Sequence, residues 1–413
     1  MRSVLAGLRP TRRGLGMVGT GAGALISGTA IGVPTLVTLG LVLLLSALGG
    51  LALLLVDIAM ARHGRIKVAR LVHPHPLSVG DEARVQVEVT ATGATRLDRL
   101  SISERAAREL SSGGAPRARV TRAPHRLTLS YPITGVRRGR WRAGPLEVRR
   151  TDLLGTLSWH GPLGAQGSVA VRPRVVPLAH PRSSAALDTS AATGSRTSAP
   201  DDTALREYRP GDDLRRVHWA SSARVGTLVV RQDEQSGRRP ATVLLELPVE
   251  PDAVEWTIST GVSIAGALLD GGHPVRILVA GKAPLHRGPG AQAFEEMLDD
   301  AVDLTPAPDR VTSRAWLMDG LDSLAAQGAG RELVAAVLGS VDRRTLADLA
   351  RLGSVHEGWA LIRTDGHPTA TEITSIDTLR RGGWAAVAAD LRTGPQEAWS
   401  LALGLHDEAA AER

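Results

Sequence analysis

The chain has 413 residues and a hydrophobic share of 43%, more than one domain's worth of material and ample for buried cores. It has no cysteine, which excludes disulfides, cysteine-ligated zinc and a cysteine nucleophile. The formal net charge is +7, carried almost wholly by arginine because Lys67 and Lys282 are the only lysines. No nucleic-acid recognition module accompanies that charge, so no nucleic-acid partner is expected.

Residues 1–13 read as a basic leader, with Arg2, Arg9, Arg12 and Arg13. Residues 14–60 carry one charge, Asp57, and predict two membrane helices over 15–31 and 35–56 with a turn at Gly32-Val33-Pro34. Gly19 with Gly23, and Gly28 with Gly32, have the small-residue spacing that lets helices approach closely. The run from Gly19 to Gly23 reads as helix packing rather than a phosphate loop, since no strand precedes it and no lysine follows. Arginines precede the first span, and Arg62, Arg65, Lys67 and Arg70 follow the second. Cationic flanks stay in the cytoplasm, so the expectation is a multi-pass hairpin in the cell membrane with the soluble bulk cytoplasmic.

Residues 65–178 predict an antiparallel β-sandwich. Arg84 to Val89 and Arg126 to Tyr131 alternate polar with apolar, and Pro and Gly punctuate the gaps. Arg137, Arg138 and Arg140 read as a solvated turn or as a lipid-headgroup patch near the membrane. Residues 183–200, rich in Ser, Ala, Thr and Gly, read as a flexible linker. From 240 to 405, apolar runs alternate with helical periodicities, which predicts a doubly wound α/β domain. The last helix is expected over 396–403, with Gly404 as its stop.

Between linker and α/β domain, residues 201–236 hold the densest group of functional side chains: Arg206, Tyr208, Asp212, Asp213, Arg215, His218, Trp219, Arg224 and Arg231. Pro210-Gly211-Asp212 reads as a tight turn, and 217–219 and 226–231 as short strands. Three readings stand side by side. The segment is a structural clasp in which Asp212 and Asp213 pair with arginines by fork geometry. It is a protein docking surface, since Trp, Tyr and Arg dominate interface energies. Or it is a catalytic site, a cell-envelope hydrolase with His218 as general base oriented by Asp212 or Asp213.

This segment resembles the signature of the domain-of-unknown-function 58 family of bacterial membrane proteins. The resemblance is carried by Arg206, Tyr208, Pro210, Gly211, Asp212, Asp213, Arg215, Trp219, Ala223, Arg224, Leu228, Val230 and Arg231. His218 stands where many relatives carry Asp. Arg138-Gly139-Arg140-Trp141, Gly144-Pro145 and Asp152-Leu153-Leu154-Gly155 resemble the family too. The resemblance implies a von Willebrand factor A-like α/β domain and a MoxR-type AAA+ ATPase as partner, with the protein a non-enzymatic scaffold or adaptor. An envelope sensor or ligand-binding protein is the further alternative.

Domains of that type often hold a divalent ion through an Asp-x-Ser-x-Ser loop after their first strand. Here the place reads Leu245-Glu246-Leu247-Pro248-Val249, without the hydroxyls. The metal loop near Glu246 is therefore expected to be degenerate and no cofactor is expected. Glu246, Glu250 and Asp252 form the alternative, improvised metal site. The oligomeric state is not encoded in any pattern found.

Overall fold

The computed structural model describes residues 7–60, 66–92, 97, 100–111, 118–152, 154–181, 205–207, 222, 224, 227, 229–231, 239–279, 285–326, 332–392 and 394–411. Contacts divide the chain into two compact units, Met1–Arg172 and Pro173–Arg413.

The first unit opens with strand β1 (Leu8–Pro10) and two helices, α1 (Arg12–Ile31) and α2 (Pro34–Met60). Both helices are long and apolar enough to cross a membrane. Gly32 ends α1 in the left-handed region at φ 76°, where its N–H bonds Gly28 O, and Pro34 opens α2. The helices meet along Gly21 and Gly28 of α1 and Gly40 of α2. A β-carbon at Gly40 would lie 2.7 Å from Gly21 O, and one at Gly28 would lie 2.8 Å from Val37 N. The buried residues of α1 are Gly14, Gly21 and Gly28, each seven residues or two turns apart on one face. Gly19, Gly23 and Gly32 meet nothing within 4 Å. The expected four-residue spacing is thus replaced by a seven-residue stripe, because the contact face follows every second turn.

Two antiparallel sheets follow. One runs in the order β2 (Ile66–His73), β4 (Glu82–Ala91), β7 (Arg126–Thr134), β6 (Arg119–Arg122). The other centres on β8 (Gly139–Thr151), flanked by β9 (Leu157–Leu163), β10 (Gly167–Arg172) and β5 (Ser101–Ala106), with the short β3 (Leu77–Ser78) parallel to β10. Strict alternation in β4 buries Val85, Val87 and Val89 against Leu127, Leu129, Leu146 and Val169. Arg70 of β2 and Glu104 of β5 tie the sheets through a buried ion pair, Nε to Oε1 at 2.9 Å. Burial, then the Glu104 carboxylate, pushes the neighbouring Tyr131 phenol up.

The helices are fastened to this sandwich at the β8–β9 turn. β1 pairs antiparallel with β9, Leu8 opposite Trp159, so it extends the sheet just before α1 begins. Thr11 caps α1 by accepting from Gly14 N at 3.1 Å, and its hydroxyl donates to Gly155 O at 2.5 Å. Leu54 and Ile58 of α2 bury against Trp159. Asp152 accepts from Leu157 N at 2.8 Å and from the Thr156 hydroxyl at 2.7 Å, and a β-carbon at Gly50 of α2 would lie 2.7 Å from its Oδ2. Burial pushes the Asp152 carboxyl up, but these donors outweigh it and hold it below the ordinary carboxylate value. Arg137, Arg138 and Arg140 lie at or before the opposite end of β8, ~40 Å along the strand from this junction at 3.3 Å per residue. Arg138 is itself buried, so neither the solvated turn nor the membrane patch describes it.

The second unit is built on a six-stranded sheet in the order β15 (Leu285–Gly288), β14 (Val275–Val279), β13 (Ala241–Leu245), β16 (Leu333–Leu338), β17 (Glu357–Thr364), β18 (Trp384–Asp390). All neighbours are parallel except β14 and β15. Wholly buried strands such as Leu-Val-Ala-Ala-Val-Leu of β16 need cover on both faces. One face takes α3 (Pro251–Asp270), α4 (Ala291–Ala301) and α8 (Pro395–Ala411). The other takes α5 (Arg310–Ala326), α6 (Arg343–Gly353) and α7 (Ala370–Arg381).

α8 runs through Gly404 rather than stopping there. Leu405 packs on the core, and His406 lies 5.0 Å from the Trp359 ring and 2.6 Å from Glu357, so tertiary contacts hold the next turns helical. Residues 173–181 lie across α3 and α8, through Val176 N to Ser263 Oγ at 2.9 Å and the Trp399 indole to Ala179 O at 2.6 Å.

Candidate functional site

The sheet of the second unit has a topological switch point. From β13 the chain moves to β14 on one side, then returns to β16, β17 and β18 on the other. The loops leaving β13 and β16 therefore diverge, and a crevice opens at the carboxyl ends of these strands. A cleft of about 490 Å³ lies there.

Its walls are helix N-termini and their caps. Asp342 caps α6, accepting from Arg344 N at 2.9 Å and the Thr345 hydroxyl at 2.6 Å, and it receives Arg314 of α5 at 2.7 Å. Burial raises the Asp342 carboxyl, but the Thr345 hydroxyl, the backbone N–H groups and Arg314 together hold it below its ordinary value. Asp309 caps α5 through Thr312 N at 2.7 Å, and that bond lowers its pKa. Glu250, the residue before α3, lies 3.7 Å from Arg310, both well exposed.

The floor is a buried ion pair. Arg363 comes from β17, and its side chain is 7% exposed. It donates to Glu246 Oε2 at 3.2 Å, Glu246 O at 3.0 Å and Thr257 Oγ1 at 2.8 Å. Gly339 N also donates to Glu246 Oε2. A β-carbon at Gly339 would lie 2.6 Å from the Arg363 guanidinium, so the close approach demands glycine there. Ser313 Oγ lies 2.6 Å from Leu247 O and 3.5 Å from Glu246 Oε1. Burial presses the Arg363 pKa down against the opposing pull of Glu246, and the guanidinium stays charged. Glu246, Glu250 and Asp342 thus each face an arginine.

Of the residues lining the cleft, the sequence singled out Glu246 and Glu250 as candidate metal ligands. The improvised set of Glu246, Glu250 and Asp252 does not form: Glu246 is engaged by Arg363 and Gly339, and no three acidic or His side chains converge on a metal position among the described residues. Ser313, Arg314, Asp342 and Arg363 were missed. Asp342 before Arg343-Arg344-Thr345 was legible as a cap. Arg363 at the end of an apolar strand was the other signal, since a charge in a buried run needs a partner.

Of the signature, β11 (Leu205–Glu207) pairs antiparallel with β12 (Val229–Arg231), with Arg206 opposite Val230 and Leu205 opposite Arg231. The two ends of the signature are thereby joined. Ser222 is buried, Arg224 is exposed, and both have helical backbone. Tyr208, Asp212, Asp213, Arg215, His218 and Trp219 lie outside the described residues, as do the expected strand 217–219 and the linker 183–200. Gly261-Val262-Ser263-Ile264-Ala265, a near-match to a nucleophile elbow, lies inside α3 rather than at a strand-to-helix turn, and the buried Ser263 hydroxyl donates to Ser259 O at 2.6 Å.

Fold and cleft together define a multidomain protein: an apolar N-terminal helix pair, an antiparallel sandwich and a doubly wound α/β unit. Residues 204–307 match the family described as protein of unknown function DUF58. The matched range covers the signature, β13, α3, β14, β15 and α4, and it includes Glu246 but neither Asp342 nor Arg363. A comparison with curated proteins finds none that matches.

Proposed function

We propose that this is a non-enzymatic, membrane-anchored scaffold or adaptor. Its two helices cross the cell membrane as a hairpin, with the soluble domains on the cytoplasmic side. Its α/β unit is von Willebrand factor A-like, and its partner is a MoxR-type AAA+ ATPase that assembles or matures other proteins. The observation that carries the anchor is the double fastening of the helix pair. β1 joins the sandwich immediately before α1, and Leu54 and Ile58 at the far end of α2 pack on Trp159 of the same sheet. Both outer ends of the pair meet the sandwich together, which supports a hairpin with its short turn across the bilayer. Basic Arg9, Arg12 and Arg13 at that end support the cytoplasmic side, with membrane lipid as the surrounding partner.

The adaptor role is supported by the engagement of the cleft's ionic groups with one another, an arrangement suited to holding a shape rather than to moving protons. The ATPase comes from the family resemblance, and the signature's Arg, Asp and Trp groups are its docking surface. Two measurements test the reading. A cysteine placed at the exposed Ser340 of this cysteine-free chain should react with an impermeant maleimide only after the cytoplasmic face is opened; labelling of intact cells overturns the topology. Trp219→Ala and Arg215→Ala should lower recovery of the ATPase from membranes while the protein stays folded. Unchanged recovery with both variants removes the docking role.

A further inference from the structure

The floor of the cleft has the chemistry of a hard-cation site with a side chain in the ion's place. Three kinds of oxygen converge on Arg363: the carboxylate of Glu246, the carbonyl of Glu246 and the hydroxyl of Thr257, at 2.8 to 3.2 Å. Carboxylate, carbonyl and hydroxyl are the donors that magnesium, manganese and calcium take. A second hydroxyl, Ser313, stands 3.5 Å from the other carboxylate oxygen. These distances suit N–H···O bonds and are too long for an ion held at roughly 2.0–2.6 Å. An ion brought to Glu246 would meet the guanidinium, which stands so near that a β-carbon at Gly339 would lie 2.6 Å from it. A divalent ion and a guanidinium sharing one carboxylate are like charges at close range and repel. A divalent ion therefore does not fit these residues as they stand.

We infer that Arg363 is the resident cation of this cleft, replacing a divalent ion in the charge balance of Glu246, so that the second unit works without metal. β17 supplies the charge from inside the sheet, and the loops after β13 and β16 are set around it. This inference stands apart from the adaptor reading, since it concerns the cleft's own electrostatics and names no partner.

The test is Mn²⁺ titration, followed by electron paramagnetic resonance, of the full chain in detergent. The wild type should show no saturable site, and EDTA should leave its Tm unchanged. Arg363→Ser should acquire one saturable Mn²⁺ site, which Glu246→Gln in the same chain removes and Arg363→Lys does not show. Saturable binding by the wild type that Glu246→Gln abolishes overturns the inference. So does a folded Arg363→Ser protein that takes no Mn²⁺, because the oxygens would then not be arranged around a cation position. Should Arg363→Ser not fold, the wild type and Glu246→Gln titrations decide alone.

Discussion

Asp152 in the first unit and Glu246 in the second are carboxylates satisfied in opposite ways. Asp152, in the turn that fastens the helices, is met by neutral donors: a backbone N–H and a hydroxyl from its own hairpin. Glu246, under the cleft, is met by a full positive charge carried across the sheet from β17. The first is a local device, which stays satisfied wherever the turn forms. The second is non-local: Glu246 and Arg363 are 117 residues apart, and each is left with an uncompensated charge if the other is lost. The comparison teaches that a short-range carboxylate positions an element, whereas a long-range one commits a whole sheet to a single register.

The largest expected effect follows from that. Glu246→Ala leaves a buried guanidinium without its counter-ion, a loss of about 3–5 kcal/mol, readable as a lowered midpoint in thermal or denaturant unfolding in detergent. Replacing both residues by apolar ones, Glu246→Leu with Arg363→Met, should recover most of that loss. A double variant no more stable than Glu246→Ala would show that the pair itself, not the isolated charge, sets the cost. Next comes the glycine stripe. Gly40→Leu forces a side chain against Gly21 O and Leu25, overpacking the helix pair by roughly 1–3 kcal/mol. Gly19→Leu meets nothing within 4 Å and should leave the melting curve in place, which separates the seven-residue stripe from the four-residue spacing.

Much of the architecture was legible in the sequence. The apolar stretch before residue 60, the alternation of β4 and the buried runs of β13 and β16 follow one period each, and one period is enough to place an element. α5 and α7 were not legible as elements. α5 has Leu317, Leu321 and Leu324 on its buried face, but Arg310 and Arg314 before them and Asp319 and Asp322 between them break the apolar pattern. α7 announces itself only by its Thr369–Glu372 capping box, a local signal that periodicity passes over. The cleft was half legible for the same reason. Glu246 stands in a loop that a resemblance singles out, whereas Arg363 and Gly339 become partners only when β17 and β16 are laid beside β13. A pairing across 117 residues leaves no trace in spacing.

The Asp152 side of the comparison gives the smaller, pH-dependent prediction. Its carboxyl is held below the ordinary value in the fold, so the unfolded chain binds the proton more readily. Stability from Asp152 is then fully present above the unfolded pKa of about 3.9 and is lost as pH falls through the folded value. Asp152→Ala should remove the acceptors of Leu157 N and the Thr156 hydroxyl, at about 1–3 kcal/mol near neutral pH, with the difference from wild type shrinking below about pH 4. Asp152→Asn keeps one acceptor oxygen and loses the charge, so its cost should be smaller; its own stability should carry no Asp152 titration, and its difference from wild type should also shrink below about pH 4. His356 provides the contrast within the second unit. Burial lowers its pKa although Glu332 opposes it, and its Nδ1 accepts from Glu332 N at 3.2 Å, as a neutral ring does. The unfolded chain protonates it first, below about pH 6.5, so its contribution declines over a higher pH range than that of Asp152. Unfolding midpoints of wild type, Asp152→Asn and His356→Gln from about pH 7 down to about pH 2 separate the two. A decline that Asp152→Asn flattens above pH 5 would mean that the turn, not the sheet, fails first in acid.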